Sequence, residues 1–237
     1  MIDLHLHIMH RIDDGAQDLY ESIEMAEIAE DSGVEVIVAT PHSNFKNVYE
    51  NNYDRYFEQK FETLKAALKE NDLSLTLIPG MEIMASDDIV EKLQKHQLIT
   101  LNHTNVPLVE FDFMVEFEYM YFITKKLLQN GYQPLIAHPE RYICIIDKPE
   151  KVRKLVTMGA LIQSNKSSIL GHFGMSIQAC VNYLLKEDLV TVVASDGHGV
   201  DIRTPAMDEV RFYLDLKYGE GTAKRLLEEN PKRILKL

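Results

Sequence analysis

The sequence lacks several features that would assign it to common classes of protein. It has only two cysteines, Cys144 and Cys180, which are too few for a disulfide framework and predict a reducing compartment. No run approaches the roughly 18 apolar residues that a membrane-spanning helix needs. The first residues, MIDLH, have neither the basic region nor the apolar region of a secretory signal. We therefore expect a cytoplasmic protein without membrane insertion.

Basic residues are also scarce, with 25 Lys and Arg against 37 Asp and Glu, so the formal net charge is −12. Nucleic acid is not a predicted partner, because neutralising its phosphates requires clustered basic side chains and the sequence has no such cluster. No Ser/Gly-rich linker or low-complexity tract divides the 237 residues. This composition predicts one globular domain that covers residues 1–237.

Short apolar runs alternate with longer amphipathic stretches along the chain. The runs are 2–7, 34–39, 74–78, 106–111, 134–137, 160–163 and 189–194. The stretches that read as helices are 19–31, 53–70, 87–96, 115–130, 149–158, 176–185, 205–218 and 222–229. Strands that are apolar nearly throughout are typical of parallel sheets buried on both faces. The alternation predicts an α/β fold, either a closed barrel or an open doubly wound sheet.

Histidine and acidic residues follow the ends of six of the seven predicted strands. In chain order they are His5 and His7, His42, Glu82, Glu110, His138, and Asp196 with His198. In a parallel barrel the carboxyl ends of all strands share one face, where such enzymes carry their reacting groups. An open sheet would spread these side chains along a line. The barrel is therefore the better interpretation.

These residue types point to a metal centre. Imidazole with carboxylate is a ligand set for Zn, Mn or Fe, whereas two separate cysteines offer no thiolate site. Residues two apart on a strand face the same way, so His5 and His7 can bind one ion together. The set is too large for one ion at about four to six ligands each, which predicts two or three ions bridged by a carboxylate such as Glu82.

Six motifs occur in order along the chain: DLHLH at 3–7, DDG at 13–15, TPH at 40–42, GMEI at 80–83, HPER at 138–141 and SDGH at 195–198. With these motifs the sequence resembles the polymerase and histidinol phosphatase (PHP) superfamily. Within it, the chain is most similar to the manganese-dependent protein-tyrosine phosphatases of bacterial capsular and exopolysaccharide gene clusters. The resemblance implies a distorted seven-unit (β/α) barrel. It also implies hydrolysis of phosphotyrosine by a metal-activated hydroxide, on a partner such as a bacterial tyrosine kinase that controls polysaccharide synthesis.

The resemblance further implies a role for each position. The first ion would take His5, His7, Glu82 and Asp196; the second Glu82, Glu110 and His138; the third Asp14, His42 and His198. Arg141 and Arg203 would hold the phosphate, and the ions would be manganese, with iron and zinc left open. Asp13 and His10 are candidate proton donors, and Asp13 remains an alternative to Asp14 as the ligand.

Two other functions stay open at this point. One is a phosphatase of a small metabolite such as histidinol phosphate, and the other is a metal-binding regulatory partner without turnover. A cysteine-dependent phosphatase is excluded, because it requires an arginine six positions after the nucleophile and the residues there are Glu150 and Lys186. No glycine-rich phosphate loop is present either, which disfavours nucleotide-driven transfer.

Overall fold

Parallel strands and helices follow one another along most of the chain in the computed structural model, which describes residues 1–237. The strands are β1 Ile2–Leu6, β2 Val36–Ala39, β3 His42–Ser43, β4 Thr76–Pro79, β5 Glu82–Met84, β6 Leu108–Glu110, β7 Leu135–Ala137, β8 Leu161–Asn165 and β9 Val192–Ala194. The α-helices are α1 Leu19–Asp31, α2 Arg55–Glu70, α3 Ile89–Gln94, α4 Phe117–Gln129, α5 Ile143–Ile146, α6 Val152–Met158, α7 Lys166–Ile169, α8 Met175–Lys186, α9 Asp208–Tyr218, α10 Thr222–Lys224 and α11 Asn230–Leu235. A π-helical segment covers Arg225–Glu229, and 3₁₀ turns cover Leu101–His103, Pro139–Arg141 and Pro149–Lys151. The predicted α/β class with parallel strands is confirmed.

Local signals in the sequence set the ends of the first two long helices. Asp18 precedes α1 and its side chain accepts the backbone N–H of Glu21, and Gly33 follows the helix with a φ of +89°. The bounds of α1 are those predicted. The start of α2 was predicted two residues too early, because the Asp54 side chain accepts the backbone N–H of Tyr56 and thereby caps a helix that begins at Arg55.

The strands form two sheets, one in the order β1-β2-β4 and the other in the order β3-β5-β6-β7-β8-β9. The predicted strands did not include β3 and β5, which follow β2 and β4 after breaks at Pro41 and Gly80. Pro41 has no N–H to donate, and a Cβ at Gly80 would lie 2.8 Å from Cγ1 of Val38. After these breaks His42 and Glu82 pair in register, which places two predicted metal ligands side by side.

The first and last strands meet at the ends that carry site residues. Leu6 forms a parallel bridge with Gly197, and the backbone N–H of Asp196 donates to the carbonyl of His5 at 2.9 Å. Below this point the buried Asp3 carboxylate accepts the backbone N–H of Ser195 at 3.0 Å and its hydroxyl at 2.5 Å. The number of barrel units stays a prediction, because the strands are divided between two hydrogen-bonded sheets.

Apolar side chains of the strands belong to two buried clusters. The larger joins strand residues to the inner faces of the helices, including Phe57, Phe61, Leu64 and Leu68 of α2. The smaller joins residues of most strands to Ile234 and Leu235 of α11. No helix combines the length and the apolar character that crossing a bilayer requires. The assignment of residues 1–237 to one domain stays a prediction.

Candidate metal centre

Nine side chains at the carboxyl ends of the strands come together as one cluster. They form four groups in which the ligand atoms lie within 4.8 Å of one another: His7, Asp14, His42 and His198; His5, His7 and Asp196; His5, Glu82 and His138; and His42, Glu82 and Glu110. The groups share members, so the cluster is continuous. Each of the nine residues that the sequence predicts as ligands belongs to at least one group, and His10 belongs to none.

The set predicted for the first ion is the most compact. Nε2 of His5 lies 3.1 Å from Nε2 of His7, 3.2 Å from Oε2 of Glu82 and 3.5 Å from Oδ1 of Asp196. Nε2 of His7 lies 3.3 Å and 3.5 Å from the same two oxygens. Ligands about 2.1 Å from a tetrahedral ion are about 3.4 Å apart. These five separations match the spacing that one ion requires, and the group of His5, His7 and Asp196 forms the part of the set to which Glu82 is adjacent.

The other two predicted sets differ in how closely they assemble. For the third ion, Oδ1 of Asp14 lies 3.5 Å from Nε2 of His42 and 3.6 Å from Nε2 of His198. For the second ion, Nε2 of His138 lies 3.0 Å from Oε1 of Glu82 but 3.8 Å from Oε1 of Glu110. Oε2 of Glu110 instead lies 3.3 Å from Nδ1 of His42. Glu110 thus lies closer to His42 of the third set than to His138 of the second set, to which it was assigned.

The donors have the ionisation and the unused hydrogen-bonding capacity that metal binding requires. Oε2 of Glu82, Oε2 of Glu110 and Nε2 of His198 are buried and make no well-directed hydrogen bond. Burial opposes ionisation of Glu82 and Asp196, but the neighbouring His5 helps to hold the pKa of both carboxyl groups well below the usual range. Burial lowers the pKa of His198 to about 2, so its imidazole is neutral. These residues fit divalent ions.

The carboxylate of Asp13 is occupied by three donors next to the cluster. Its Oδ2 lies 2.7 Å from Nδ1 of His7 and accepts the backbone N–H of His42, and its Oδ1 accepts the backbone N–H of Gly15. Burial acts in the opposite direction, but His7 lowers the pKa of Asp13. A carboxylate on Nδ1 leaves Nε2 of His7 for an ion. The role of Asp13 as a proton donor stays a prediction, and Asp14 is the aspartate found in a metal-capable group.

Two arginine side chains meet at the Asp196 carboxylate beside the cluster. Nη2 of Arg203 lies 2.6 Å from Oδ2 of Asp196, and Nη1 of Arg141 lies 3.2 Å from the same oxygen. The guanidinium of Arg141 also lies over the rings of Phe113 and Phe173, with Cζ 4.8 Å from each ring centroid. Contact with aromatic ring faces leaves the edge N–H groups of a guanidinium available to an anion.

Two amide side chains of β8 contact the cluster, although the sequence did not predict them as site residues. Oε1 of Gln163 lies 3.0 Å from Nδ1 of His5, and Nδ2 of Asn165 donates to Oδ2 of Asp196 at 2.5 Å. The predicted strand ended at residue 163 and carried no site residue. The available signal was the polar triplet QSN at 163–165, which occupies the position where the other strands carry histidine or acidic residues.

Metal binding is expected to strengthen as the pH rises from neutral toward about 10, where His42 loses its proton. Burial opposes protonation of both imidazoles, but Asp13 raises the pKa of His7 well above its usual value and Glu82 raises the pKa of His42 to about 10. Both imidazoles therefore carry protons at neutral pH in the metal-free protein and must release them to bind an ion. Calorimetric titration with Mn²⁺ in buffers of different ionisation enthalpy measures this release. Heats that are independent of the buffer would contradict the prediction.

Known proteins provide a comparison over the whole chain. The chain is 37% identical over 236 residues to the tyrosine-protein phosphatase YwqE of Bacillus subtilis. The aligned region covers 100% of this chain and 92% of that protein. It is 33% identical over 241 residues to the tyrosine-protein phosphatase CpsB of Streptococcus agalactiae serotype V. Here the aligned region covers 100% of this chain and 98% of that protein.

A solved structure also matches the fold, with a TM-score of 0.93 and 35% identity over 100% of this chain and 94% of that one. It is one of the crystal structures of YwqE from Bacillus subtilis and CpsB from Streptococcus pneumoniae, which are metal-dependent tyrosine phosphatases. The family model described as capsular polysaccharide synthesis, CpsB/CapC, matches residues 1–236. The chain therefore belongs to the CpsB/CapC family of capsular polysaccharide synthesis.

Proposed function

We propose that the protein is a metal-dependent phosphatase that hydrolyses phosphotyrosine in a protein substrate. The observation that carries this proposal is the convergence of imidazoles and ionised carboxylates with two arginines at Asp196. Relatives named tyrosine-protein phosphatases, 33% and 37% identical over the full chain, support the choice of phosphotyrosine.

The proposed centre holds two or three divalent ions, with manganese as the expected metal. Iron and zinc use the same ligand types, so the donor set alone does not select among them. When bound, the ions would supply positive charge to the phosphoryl oxygens and a water of lowered pKa as the nucleophile. We propose the three ligand sets of the sequence analysis, with Glu82 shared between the first and the second set and Asp14, rather than Asp13, in the third.

The chain's own residues would bind and orient the substrate. Arg141 and Arg203 would donate to the phosphoryl oxygens, because a guanidinium presents a fork of N–H groups that matches phosphate geometry. Phe113, which is 43% exposed, and Tyr49, which stacks on His42 at a centroid distance of 5.6 Å, offer aromatic walls for the substrate ring. Tyrosinate, with a conjugate-acid pKa of about 10, leaves without strong protonation.

The proposed partner is a bacterial tyrosine kinase that controls capsular or exopolysaccharide synthesis. The family description supports a role in capsular polysaccharide synthesis, and phosphotyrosine arises from a kinase that transfers phosphate to tyrosine. The negative net charge does not oppose an anionic substrate, because two or three divalent ions would add about four to six positive charges at the site itself.

The proposal predicts a clear substrate preference. With Mn²⁺ added, we expect kcat/KM for a tyrosine-phosphorylated peptide to exceed that for histidinol phosphate by about 100-fold or more, since the aromatic walls bind a tyrosyl ring. Steady-state release of phosphate from each substrate, with a chelator-treated control, measures the ratio. A preference for histidinol phosphate would favour the metabolite phosphatase. No release from either substrate or from p-nitrophenyl phosphate above the chelated control would favour a regulatory partner without turnover.

A further inference from the structure

Two buried amide side chains of β8 connect ligands of the metal centre that come from three other strands. Oε1 of Gln163 lies 3.0 Å from Nδ1 of His5 and accepts the backbone N–H of His138 at 3.3 Å. Nε2 of Gln163 donates to Oδ1 of Asn165 at 2.7 Å, and Nδ2 of Asn165 donates to Oδ2 of Asp196 at 2.5 Å. Gln163 and Asn165 are completely buried. We call this pair of side chains the amide relay.

The direction of every hydrogen bond in the amide relay is fixed from both ends. The backbone N–H of His138 can only donate, so the atom of Gln163 that it faces must be the amide oxygen. At the other end, an ionised Asp196 can only accept, so the atom of Asn165 that it faces must be the amide nitrogen. The bond between the two amides, from nitrogen of Gln163 to oxygen of Asn165, is the one arrangement that satisfies both ends.

This direction has a consequence for His5. Because the oxygen of Gln163 accepts, Nδ1 of His5 must carry the proton that it shares. Nε2 is then the atom of His5 available to an ion, and it is the atom that faces His7 and Glu82. At Asp196 the relay and the two arginines occupy Oδ2, which leaves Oδ1 toward the imidazoles.

The relay itself is anchored to the turn that carries Arg141. The backbone N–H of Asn165 donates to Oε1 of the buried Glu140 at 2.8 Å, and Glu140 lies between His138 and Arg141 in the 3₁₀ turn. β8 is thus tied to β7 through Glu140 and His138, to β1 through His5 and to the end of β9 through Asp196. β8 is the one strand of the six-stranded sheet that supplies no predicted ligand.

We propose that Gln163 and Asn165 are positioning residues, which fix the tautomer and orientation of His5 and the orientation of Asp196 for the first ion. The inference rests on the metal centre proposed above. Residues that hydrogen-bond to metal ligands typically change metal affinity by about 10- to 100-fold when they are removed. A role limited to packing of the barrel would change the stability of the metal-free protein without such a loss of affinity.

The test measures Mn²⁺ affinity and stoichiometry of Gln163→Leu and Asn165→Leu by competition with a chelator. We expect each variant to bind Mn²⁺ about 10- to 100-fold more weakly than the unsubstituted protein. Gln133→Leu and Asn230→Leu are matched controls, because these amides donate to the backbone carbonyls of Gly159 and Thr191, outside the cluster. Both controls should keep the original affinity.

Two further variants sharpen the test. Gln163→Glu keeps an acceptor for His5 in the same space but removes the donor to Asn165, so it should restore part of the affinity lost in Gln163→Leu. The double variant Gln163→Leu/Asn165→Leu should lose less affinity than the two single losses combined, because both changes break one connected relay. Thermal melting of the metal-free proteins checks folding, and if Gln163→Leu does not fold, Asn165→Leu breaks the same relay at Asp196.

The outcomes separate this inference from the proposed function. Unchanged Mn²⁺ affinity in both leucine variants, with normal binding by the unsubstituted protein, would overturn the positioning role and leave the metal centre intact. Absence of Mn²⁺ binding by the unsubstituted protein would overturn the centre and this inference with it.

Discussion

Replacing Glu82 with glutamine is expected to lower kcat/KM by about 1,000-fold or more and to remove more than one ion from the centre. Oε1 of Glu82 lies 3.0 Å from Nε2 of His138, and its Oε2 lies 3.2 Å from His5, 3.3 Å from His7 and 2.9 Å from His42. No other carboxylate contacts four imidazoles. An amide in its place has the same shape but lacks the charge and one of the two acceptor oxygens.

Turnover of p-nitrophenyl phosphate with added Mn²⁺ and elemental analysis of the purified variant measure the two effects of Glu82→Gln. The matched control is Glu187→Gln, because Glu187 is exposed and pairs with Arg153 away from the cluster. The control should keep both the turnover and the metal content. A Glu82→Gln protein with a full complement of ions and near-normal turnover would rule out Glu82 as the shared ligand.

Replacing Arg141 with alanine is expected to lower kcat/KM for a phosphotyrosine peptide by about 100- to 1,000-fold while the metal content stays unchanged. Arg141 lies over the rings of Phe113 and Phe173, and its Nη1 contacts the same oxygen of Asp196 as Arg203 does. We expect the phosphate to replace Asp196 as the partner of these N–H groups. Arg141→Lys should also be impaired, because an ammonium keeps the charge but neither stacks as a plane nor donates as a fork.

Steady-state kinetics and metal analysis of the two Arg141 variants test this prediction. Arg153→Ala is the matched control, since Arg153 forms an exposed ion pair with Glu187 and should leave kcat/KM unchanged. If Arg141→Ala loses metal instead of substrate affinity, Arg141 acts through Asp196 and the phosphate-binding role is wrong.

The cluster could be predicted from the sequence because most of its members are recognisable from the few residues around them. A histidine or an acidic residue at the end of a short apolar run is visible in a single sequence, and parallel strands bring such ends to one face. His5 and His7, two apart on β1, lie with Nε2 atoms 3.1 Å apart as that reasoning requires. Their assignment as ligands stays a prediction that the metal analyses above test.

Other features depend on contacts between distant parts of the chain and could not be predicted in the same way. Phe113 and Phe173 flank Arg141 from two different loops, and neither loop has a motif that identifies its neighbour. The strands β3 and β5 were missed because they are two and three residues long, too short to show a periodic pattern. The hydrogen bonds of Gln163 and Asn165 likewise exist only once β8 lies between its neighbours.

The junction between β1 and β9 sets the time at which the site can form during protein synthesis. His5 and His7 are made almost at once, but Asp196 and His198 leave the ribosome only after most of the 237 residues have been translated. Leu6 forms a bridge with Gly197, and the backbone N–H of Asp196 donates to the carbonyl of His5. These contacts join residues that lie far apart in the sequence, so they can form only after Gly197 has been made. Under the proposed ligand sets, a nascent or truncated chain that stops before residue 196 lacks one of the four ligands of the first ion, so we expect it to bind that ion more weakly than the full chain.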